Sequence, residues 1–297
     1  MSMRILLLGK IGQLGWELLR TLAPLGEVVA LDYPEIDLSQ AGAARQAVRL
    51  AAPQVIINAS AYTAVDRAES EEPVALAVNG RTPGELAEEA AALGAALIHY
   101  STDYVFDGAK GSPYLETDAP HPLNVYGSSK LAGEDAIQQV GGSFLILRTS
   151  WVYSLRRASF VTKVLEWSRG QPSLRVVSDQ VSNPTWARML AEITAQLLAK
   201  AGEHPAGWLG ERRGLYHLAG DGYASRLEWA QAILRLDPKR GEQVARQILP
   251  ARTAEFPTPA RRPLFSALNC DLFSYTFRLS LPPWEEALRL AMENGNV

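Results

Sequence analysis

The chain has 297 residues, of which 47% are hydrophobic and 21% are charged, a balance typical of a globular protein of about two domains. The 29 Lys and Arg residues nearly balance the 32 Asp and Glu residues, and the resulting net charge of −3 argues against nucleic acid or a membrane as the partner. The single cysteine, Cys270, excludes an internal disulfide, and four scattered histidines argue against a zinc site. No apolar run reaches the roughly 20 residues of a membrane-spanning helix, so we expect a cytoplasmic protein.

Short apolar runs alternate with longer amphipathic stretches, which is typical of parallel strands joined by crossover helices. We predict strands over residues 4–8, 27–31, 54–58, 96–101, 144–149 and 174–177. The helices predicted between them cover residues 13–22, 40–50, 73–93, 125–139 and 160–169. This alternation predicts an α/β fold, a doubly wound parallel sheet of Rossmann type with helices on both faces.

Beyond residue 177 the pattern breaks into shorter pieces that are richer in Pro and Gly. We predict helices over residues 186–201, 225–236 and 284–292 and a strand over residues 214–218. We therefore expect a dinucleotide-binding domain over residues 1–150, with later segments returning to its sheet. A smaller, mainly substrate-binding C-terminal region is expected over residues 151–297.

A glycine-rich turn follows the first predicted strand directly. Gly9, Gly12 and Gly15 are spaced as G-x-x-G-x-x-G, and the turn opens a predicted helix. Glycines let the backbone approach a pyrophosphate, and the helix N-terminus attracts the anion with unpaired N–H groups. Asp32 ends the second predicted strand, where a carboxylate can accept both ribose hydroxyls of an adenosine. These features predict a dinucleotide site; a turn without a ligand and a solvated Asp32 are the alternatives.

A phenol and an ammonium group lie at the start of the helix predicted over residues 125–139. Tyr126 and Lys130 are four residues apart, which places them on one helix face. That spacing alone also fits an ordinary surface pair. Thr102 follows the fourth predicted strand, and the carboxyl edge of such a sheet is where ligands bind. A phenol, an ammonium and a hydroxyl beside a dinucleotide are what carbonyl reduction requires, because the developing alkoxide must receive a proton.

Together these residues resemble the extended short-chain dehydrogenase/reductase superfamily and, within it, the dTDP-4-dehydrorhamnose reductase family. The resemblance covers nearly the whole chain and rests on five blocks that occur in order. They are Gly-Lys-Ile-Gly-Gln-Leu-Gly-Trp-Glu-Leu (9–18), Asn-Ala-Ser-Ala-Tyr-Thr-Ala-Val-Asp-Arg-Ala-Glu (58–69), Ser-Thr-Asp-Tyr-Val-Phe-Asp-Gly (101–108), Pro-Leu-Asn-Val-Tyr-Gly (122–127) with Ser-Lys-Leu-Ala-Gly-Glu (129–134), and Arg-Thr-Ser-Trp-Val-Tyr (148–153).

The resemblance implies roles for the residues at matching positions. Thr102, Tyr126 and Lys130 match the catalytic triad, and Thr102, Asp103 and Trp151 match the substrate contacts. The residues implied around NADPH or NADH are Gly9, Gly12, Gln13, Leu14, Gly15, Asp32, Asp37, Leu38, Ala61, Tyr62, Thr63, Tyr100, Tyr126 and Lys130. The implied partner is a nucleotide-sugar substrate, and a homodimer is compatible with the family.

Two further assignments, for the diphosphate of the substrate and for a metal ion, are not defined by the spacing of residues. Arg262 lies in a Pro-rich segment and is the candidate for the diphosphate of the substrate, with an ordinary surface arginine as the alternative. The family has been associated with Mg²⁺ at acidic surface residues, and the carboxylates at Glu17, Glu192 and Glu293 show no spacing that defines a site.

Three positions depart from the family pattern. Ser60 stands where Ala is usual, Ser182 where glycine is usual, and Phe265 where Asn is usual in Arg-Pro-x-Asn-Ser. None belongs to the triad, so the departures put only the details of substrate contacts in doubt.

Other reactions of this fold need groups that the sequence does not place at the site. Tyr104 stands where nucleotide-sugar 4,6-dehydratases carry a Glu, and Cys270 lies far from the position of an epimerase thiol. We therefore expect plain reduction of a ketone. The resemblance implies the substrate, so that the C4 ketone of dTDP-4-dehydro-β-L-rhamnose is reduced to dTDP-β-L-rhamnose. A non-catalytic dinucleotide-binding subunit, similar to the regulatory subunit of methionine adenosyltransferase, is the alternative from another class.

The segment after the second predicted strand bears on the choice of cofactor. Asp32 and Glu35 place negative charge there, with no neighbouring Lys or Arg for an adenosine 2′-phosphate. We therefore expect NADH to be tolerated, while the resemblance keeps NADPH open.

Overall fold

The computed structural model describes residues 3–294. Strands and helices alternate through the first half of the chain as predicted. The elements are β1 (Met3–Leu8), α1 (Gln13–Leu22), β2 (Gly26–Leu31), α2 (Ala43–Ala51), β3 (Val55–Asn58), α3 (Val65–Ala68), α4 (Glu72–Leu76), α5 (Thr82–Leu93), β4 (Ala96–Thr102), α6 (Val125–Val140) and β5 (Ser143–Thr149).

The second half consists of shorter strands and of helices that serve two different layers. Its elements are β6 (Val152–Tyr153), α7 (Phe160–Gly170), β7 (Ser173–Val177), β8 (Val181–Ser182), β9 (Thr185–Trp186), α8 (Ala187–Ala201), α9 (Pro205–Gly210), β10 (Gly214–His217), β11 (Ala224–Ser225), α10 (Arg226–Leu236), β12 (Gln247–Ala251), α11 (Asp271–Phe277) and α12 (Trp284–Asn294). Among the described helices, none is long and apolar enough to cross a membrane.

Six parallel strands form the central sheet in the order β10-β5-β4-β3-β1-β2. The inner strands β1, β3, β4 and β5 are buried on both faces because alternate residues enter different cores. Ile5 and Leu7 pack with α1 and α8, whereas Leu6 and Leu8 pack with α2 and α5. The chain passes from β1 outward to β2 and then returns to β3 on the other side of β1. The carboxyl ends of β1 and β3 therefore form the switch point where such sheets bind ligands.

The predicted doubly wound sheet is confirmed, but one of its predicted strands was placed wrongly. The segment predicted over residues 174–177 forms β7, which pairs with β12 in a separate two-stranded sheet. The sixth strand of the main sheet is instead β10, which pairs with β5. β7 differs from the inner strands of the main sheet in its burial. Leu174 and Val176 are buried while Arg175 is exposed, so one face of β7 is in contact with solvent.

Residues after position 150 contribute to both parts of the molecule. Helices α8, α9 and α11 pack on the main sheet together with β10. Helices α7, α10 and α12 and strand β7 enclose a separate core around Trp229. The part of the chain after residue 150 therefore forms the core around Trp229 and also supplies β10, the sixth strand of the main sheet.

The helix predicted over residues 73–93 is interrupted by one π-helical turn, Ala77–Arg81. Asn79 in this turn bonds the backbone of Tyr62 at both its N–H (2.8 Å) and its carbonyl oxygen (3.1 Å). The same amide donates to the Ser129 hydroxyl at 3.0 Å. The π turn thus ties the loop after β3 to α6, which a regular helical period cannot reveal.

A buried ion pair attaches α6 to the sheet. Glu134 accepts hydrogen bonds from the Arg148 guanidinium at 2.9 and 2.6 Å and from the Ser101 hydroxyl. Both charged side chains are almost fully buried. Because Ser101 belongs to β4 and Arg148 to β5, one carboxylate positions α6 against two neighbouring strands.

Candidate active site

A cavity of about 820 Å³ opens at the carboxyl ends of β1, β3, β4 and β5, a volume in the range of ligand pockets. The predicted site residues that line it are Gly9, Gly12, Gln13, Leu14, Asp32, Asp37, Leu38, Ala61, Thr63, Tyr100, Thr102, Asp103, Tyr126, Lys130 and Trp151. Gly15, Tyr62 and Arg262 are described but lie outside this lining. Most of the groups predicted to bind cofactor or substrate therefore share one space.

The glycine-rich turn presents backbone to the cavity at Gly9 and Gly12. Gly9 has a φ of +90°, and a Cβ there would lie 2.7 Å from the Ser60 nitrogen, so only glycine fits. No side chain caps the N-terminus of α1, which leaves the N–H groups of its first turn available. This turn suits a pyrophosphate, because the free N–H groups and the helix dipole both favour an anion.

Gly15 supports the turn from behind. A Cβ at Gly15 would lie 1.9 Å from the Gly9 carbonyl oxygen, so α1 rests directly on the turn that precedes it. The requirement for glycine at this position is therefore one of packing.

Asp32 fastens the glycine-rich turn to the end of β2. Its carboxylate accepts from the N–H groups of Ile11 (2.9 Å) and Tyr33 (2.8 Å). Arg157 lines the cavity and donates to the carbonyl oxygen of the same Ile11. Arg157 is therefore a basic group from elsewhere in the fold at this end of the cavity, which is the route that kept NADPH open. Arg157 reaches it from a loop of the second half, a long-range approach that the local sequence cannot show.

The ammonium group of Lys130 is buried against β4. It donates to the Tyr100 carbonyl oxygen at 2.6 Å, and it lies 3.2 Å from Nε2 of His99. Nδ1 of that ring lies 3.0 Å from the Asn58 amide nitrogen. Burial lowers the pKa of Lys130 to about 8 and also keeps the pKa of His99 well below its usual range. At neutral pH the histidine is therefore neutral and the lysine carries the charge.

The phenol of Tyr126 lies beside Thr102. Its ring packs edge-on against Tyr104, with the ring centroids 5.7 Å apart. Burial raises the pKa of Tyr126, while a hydrogen bond with Thr102 lowers it. The phenol therefore keeps its proton at neutral pH in the ligand-free protein.

Asp103 is a buried carboxylate held by hydroxyl groups. Ser182 donates to it at 3.0 Å and Thr102 at 3.3 Å, and Ser266 donates as well. Burial raises the pKa of Asp103 to about 6, and these hydrogen bonds oppose the rise. Ser182 is one of the three departures from the family pattern, so that departure falls on a partner of Asp103.

Trp151 forms an aromatic wall just beyond β5. Its backbone has a φ of +42°, a left-handed conformation that is uncommon outside glycine and is found at functional sites. The indole stacks on Trp229 with the centroids 5.5 Å apart. The guanidinium of Arg226, which also lines the cavity, lies 3.6 Å from the Trp151 ring centroid.

Two predicted contacts have partners elsewhere. Arg262 forms a two-point ion pair with Asp66 at 2.6 and 2.7 Å, which raises the pKa of its guanidinium. The Tyr62 hydroxyl donates to Glu71. The structure therefore brings neither side chain into the cavity.

The three carboxylates named for Mg²⁺ are paired with arginines. Glu17 and Glu192 lie 3.7 and 2.7 Å from Arg188, and Glu293 pairs with Arg289. Within residues 3–294, no three His, Cys, Asp or Glu side chains are grouped so that they could hold a metal ion.

Sequence reasoning did not assign His99, Arg157 or Arg226 to the site. His99 is a polar residue within an otherwise apolar strand, and that contrast was a usable signal. The two arginines carry no such local signal, because each reaches the cavity from the second half of the chain.

The fold and the site together define a short-chain dehydrogenase/reductase of the extended type, with a glycine-rich turn and a Tyr-x-x-x-Lys pair in one cavity. The chain matches the family model described as RmlD substrate binding domain over residues 3–296, and it belongs to that family.

Known relatives agree with this membership. A dTDP-4-dehydrorhamnose reductase from Burkholderia thailandensis is 42% identical, and the match covers 98% of this chain and 99% of the relative. The enzyme of that name from Escherichia coli K12 is 42% identical, with 97% and 96% covered. The solved structure of dTDP-4-dehydrorhamnose reductase from Bacillus anthracis, in complex with NADP, has a TM-score of 0.89 and 30% identity; it covers 99% of this chain and 100% of its own.

The packing of Gly15 generates a stability test. Gly15→Ala places a methyl group on the Gly9 carbonyl oxygen, so we expect the free energy of unfolding to fall by about 1–3 kcal/mol or more. Urea denaturation measures this free energy of unfolding. Gly207→Ala is the matched control, since Gly207 is also helical and has open space around its Cβ position; it should stay within about 1 kcal/mol of the wild type. Equal denaturation midpoints for the two variants would contradict this account of Gly15.

Proposed function

We propose that this chain is an NAD(P)H-dependent reductase that converts the C4 ketone of dTDP-4-dehydro-β-L-rhamnose into the alcohol of dTDP-β-L-rhamnose. The observation that carries the proposal is that Thr102, Tyr126 and Lys130 line the same cavity as the uncapped N-terminus of α1. The names of the relatives at 42% identity support the choice of sugar.

The reaction needs one proton at the C4 oxygen. When bound, the reduced nicotinamide supplies the hydride. Tyr126 donates its phenolic proton to that oxygen, and the neighbouring Thr102 hydroxyl donates a hydrogen bond to the same atom. The buried charge of Lys130 stabilises the phenolate that remains, since an ammonium nearby lowers the pKa of a phenol. Lys130 also hydrogen-bonds the nicotinamide ribose in this proposal.

The hexose is oriented by Asp103 and Trp151. Because the pKa of Asp103 is about 6, its carboxylate is ionised at neutral pH and accepts from a sugar hydroxyl. The Trp151 indole, fixed by its stacking on Trp229, offers a flat apolar surface to the sugar ring.

The residues that would hold the cofactor run from Lys130 to Asp32 at the end of β2. The free N–H groups of α1 bind the pyrophosphate, and Asp37 and Leu38 lie against the adenine. Asp32 favours a ribose with free hydroxyls, whereas Arg157 supplies positive charge at the same end. We therefore assign NADPH, with NADH also accepted, and the Bacillus anthracis relative in complex with NADP supports this choice.

Competing reactions lack their groups in this cavity. Tyr104 occupies the place of a dehydratase carboxylate. The Cys270 thiol lines a different pocket, and burial raises its pKa to about 12, so it is no candidate for an epimerase acid or base. A regulatory subunit needs no proton donor, whereas Tyr126 and Lys130 both face the cavity.

Product analysis tests the proposed reaction. The protein is incubated with dTDP-4-dehydro-β-L-rhamnose and NADPH or NADH, oxidation of the cofactor is followed, and the sugar is identified by NMR. We expect dTDP-β-L-rhamnose in a one-to-one ratio with cofactor consumed. An epimerised ketone without loss of reduced cofactor would contradict reduction, and an unchanged sugar would favour the non-catalytic subunit.

Removing the phenolic hydroxyl tests the proton donor. Tyr126→Phe should lower kcat by a factor of about 10² to 10⁴, the usual contribution of a positioned general acid, with the Kd for NADPH nearly unchanged. Tyr275→Phe, which removes an exposed hydroxyl outside the cavity, is the control and should keep wild-type turnover. Wild-type kcat in Tyr126→Phe would rule out this mechanism.

The depressed pKa of Lys130 generates a pH dependence. Below about pH 8 the ammonium is charged and active, and above it the proton is lost, so kcat/KM for the cofactor should fall about tenfold per pH unit on the alkaline side. Lys130→Arg should lack this limb, because a guanidinium does not titrate there. A wild-type profile that stays flat to pH 9.5, or the same limb in both proteins, would show that Lys130 is not the titrating group.

A further inference from the structure

Within the described residues, the side chain of one arginine in the cavity has neither a hydrogen-bond partner nor an ion-pair partner. The cavity lining contains three cationic side chains: Lys130, Arg157 and Arg226. Lys130 donates to the Tyr100 carbonyl oxygen, and Arg157 donates to that of Ile11. Within the described part of the chain, the guanidinium of Arg226 makes neither a hydrogen bond nor an ion pair.

Arg226 is instead held by aromatic rings. Its guanidinium carbon lies 3.6 Å from the ring centroid of Trp151, 4.7 Å from that of Phe160 and 5.4 Å from that of Trp229. Stacking of this kind fixes the plane of the guanidinium while its N–H groups remain free at the edge. The side chain is therefore oriented before any ligand arrives.

An uncompensated charge in such a place is costly to the protein. Burial lowers the pKa of Arg226 to about 10, so the side chain is still protonated at neutral pH. Asp103 attracts it electrostatically, but within the described residues no hydrogen bond or ion pair joins the two side chains. The missing partner is an anion that enters the cavity with a ligand.

We propose that Arg226 binds the diphosphate of the nucleotide-sugar substrate. This assignment rests on the proposed function, in which Trp151 and Asp103 hold the hexose, and Arg226 stacks on Trp151. The diphosphate is attached to that hexose, whereas the pyrophosphate of the cofactor is met by the N-terminus of α1.

Arg226 thereby takes the role that the sequence suggested for Arg262. The Arg262 guanidinium is committed to Asp66 through two hydrogen bonds and lies outside the cavity lining. A planar guanidinium with free N–H groups matches two phosphate oxygens at once, which favours a diphosphate over a single hydroxyl.

Calorimetric binding of substrate fragments tests the assignment without turnover. The probes are thymidine, dTMP and dTDP, titrated into the wild-type protein and into Arg226→Met, which keeps an unbranched apolar stem against Trp151. We expect the Kd for dTDP to rise about 10- to 100-fold in the variant, the range for losing charge-assisted hydrogen bonds. The Kd for thymidine should change less than about twofold, since thymidine carries no phosphate.

Controls separate the charge from the packing. Arg235→Ala removes an arginine from the exposed side of the same helix, where it pairs with Glu285, and should leave all three Kd values unchanged. Arg226→Lys keeps the charge but loses the planar, forked guanidinium. Its Kd for dTDP should lie between the values of Arg226→Met and the wild type. The Kd for NADPH should be the same in every variant.

Three results would overturn the assignment: an unchanged Kd for dTDP in Arg226→Met, an equal loss for thymidine and dTDP, or a loss confined to NADPH. Failure of the proposed function has a different signature. A wild-type protein that binds dTDP but leaves the keto sugar unreduced contradicts the reaction and still allows the Arg226 test to be read.

Discussion

The catalytic geometry depends on the carboxylate of Glu134, which lies outside the cavity lining. Tyr126, Lys130 and Glu134 follow one another at intervals of four residues, so they share a face of α6. Glu134 binds Arg148 of β5 and Ser101 of β4, and this pair determines how the helix is rotated against the sheet. The rotation decides where the phenol and the ammonium point. A small rotation of α6 would move the phenol and the ammonium away from Thr102 together, since the positions of both groups depend on the same attachment.

A buried ion pair of this kind contributes geometry more than stability. Replacing such a pair with apolar residues often leaves stability unchanged. Removing only one partner is destabilising, because the other charge then remains buried without a counter-charge. The attachment is reinforced by close backbone contact, because a Cβ at Gly127 would lie 2.2 Å from the Tyr104 carbonyl oxygen. Helix α6 and the turn that follows β4 therefore have little freedom to slide, which is what a proton donor that must meet one oxygen requires.

The sequence predicted the local features well, because each has a local cause. Continuous apolar runs marked the strands, and Gly9 and the Tyr126–Lys130 spacing marked the site. What it missed depends on partners far along the chain. Asp66 and Arg262 find each other across 196 positions, so no window of sequence shows that this guanidinium is taken. The pairing of β7 with β12 and the free guanidinium of Arg226 are likewise products of the assembled structure.

The position of β10 in the sheet has a consequence for synthesis of the chain. β10 covers the outer edge of β5, a strand buried along nearly its whole length, yet it is made long after β5. A fragment ending near residue 150 would contain the glycine-rich turn and the Tyr126–Lys130 pair, but it would expose β5 as an apolar sheet edge. Such edges recruit other chains. The catalytic groups are thus synthesised before the strand that covers this edge, and β10 closes a site at which other chains could pair.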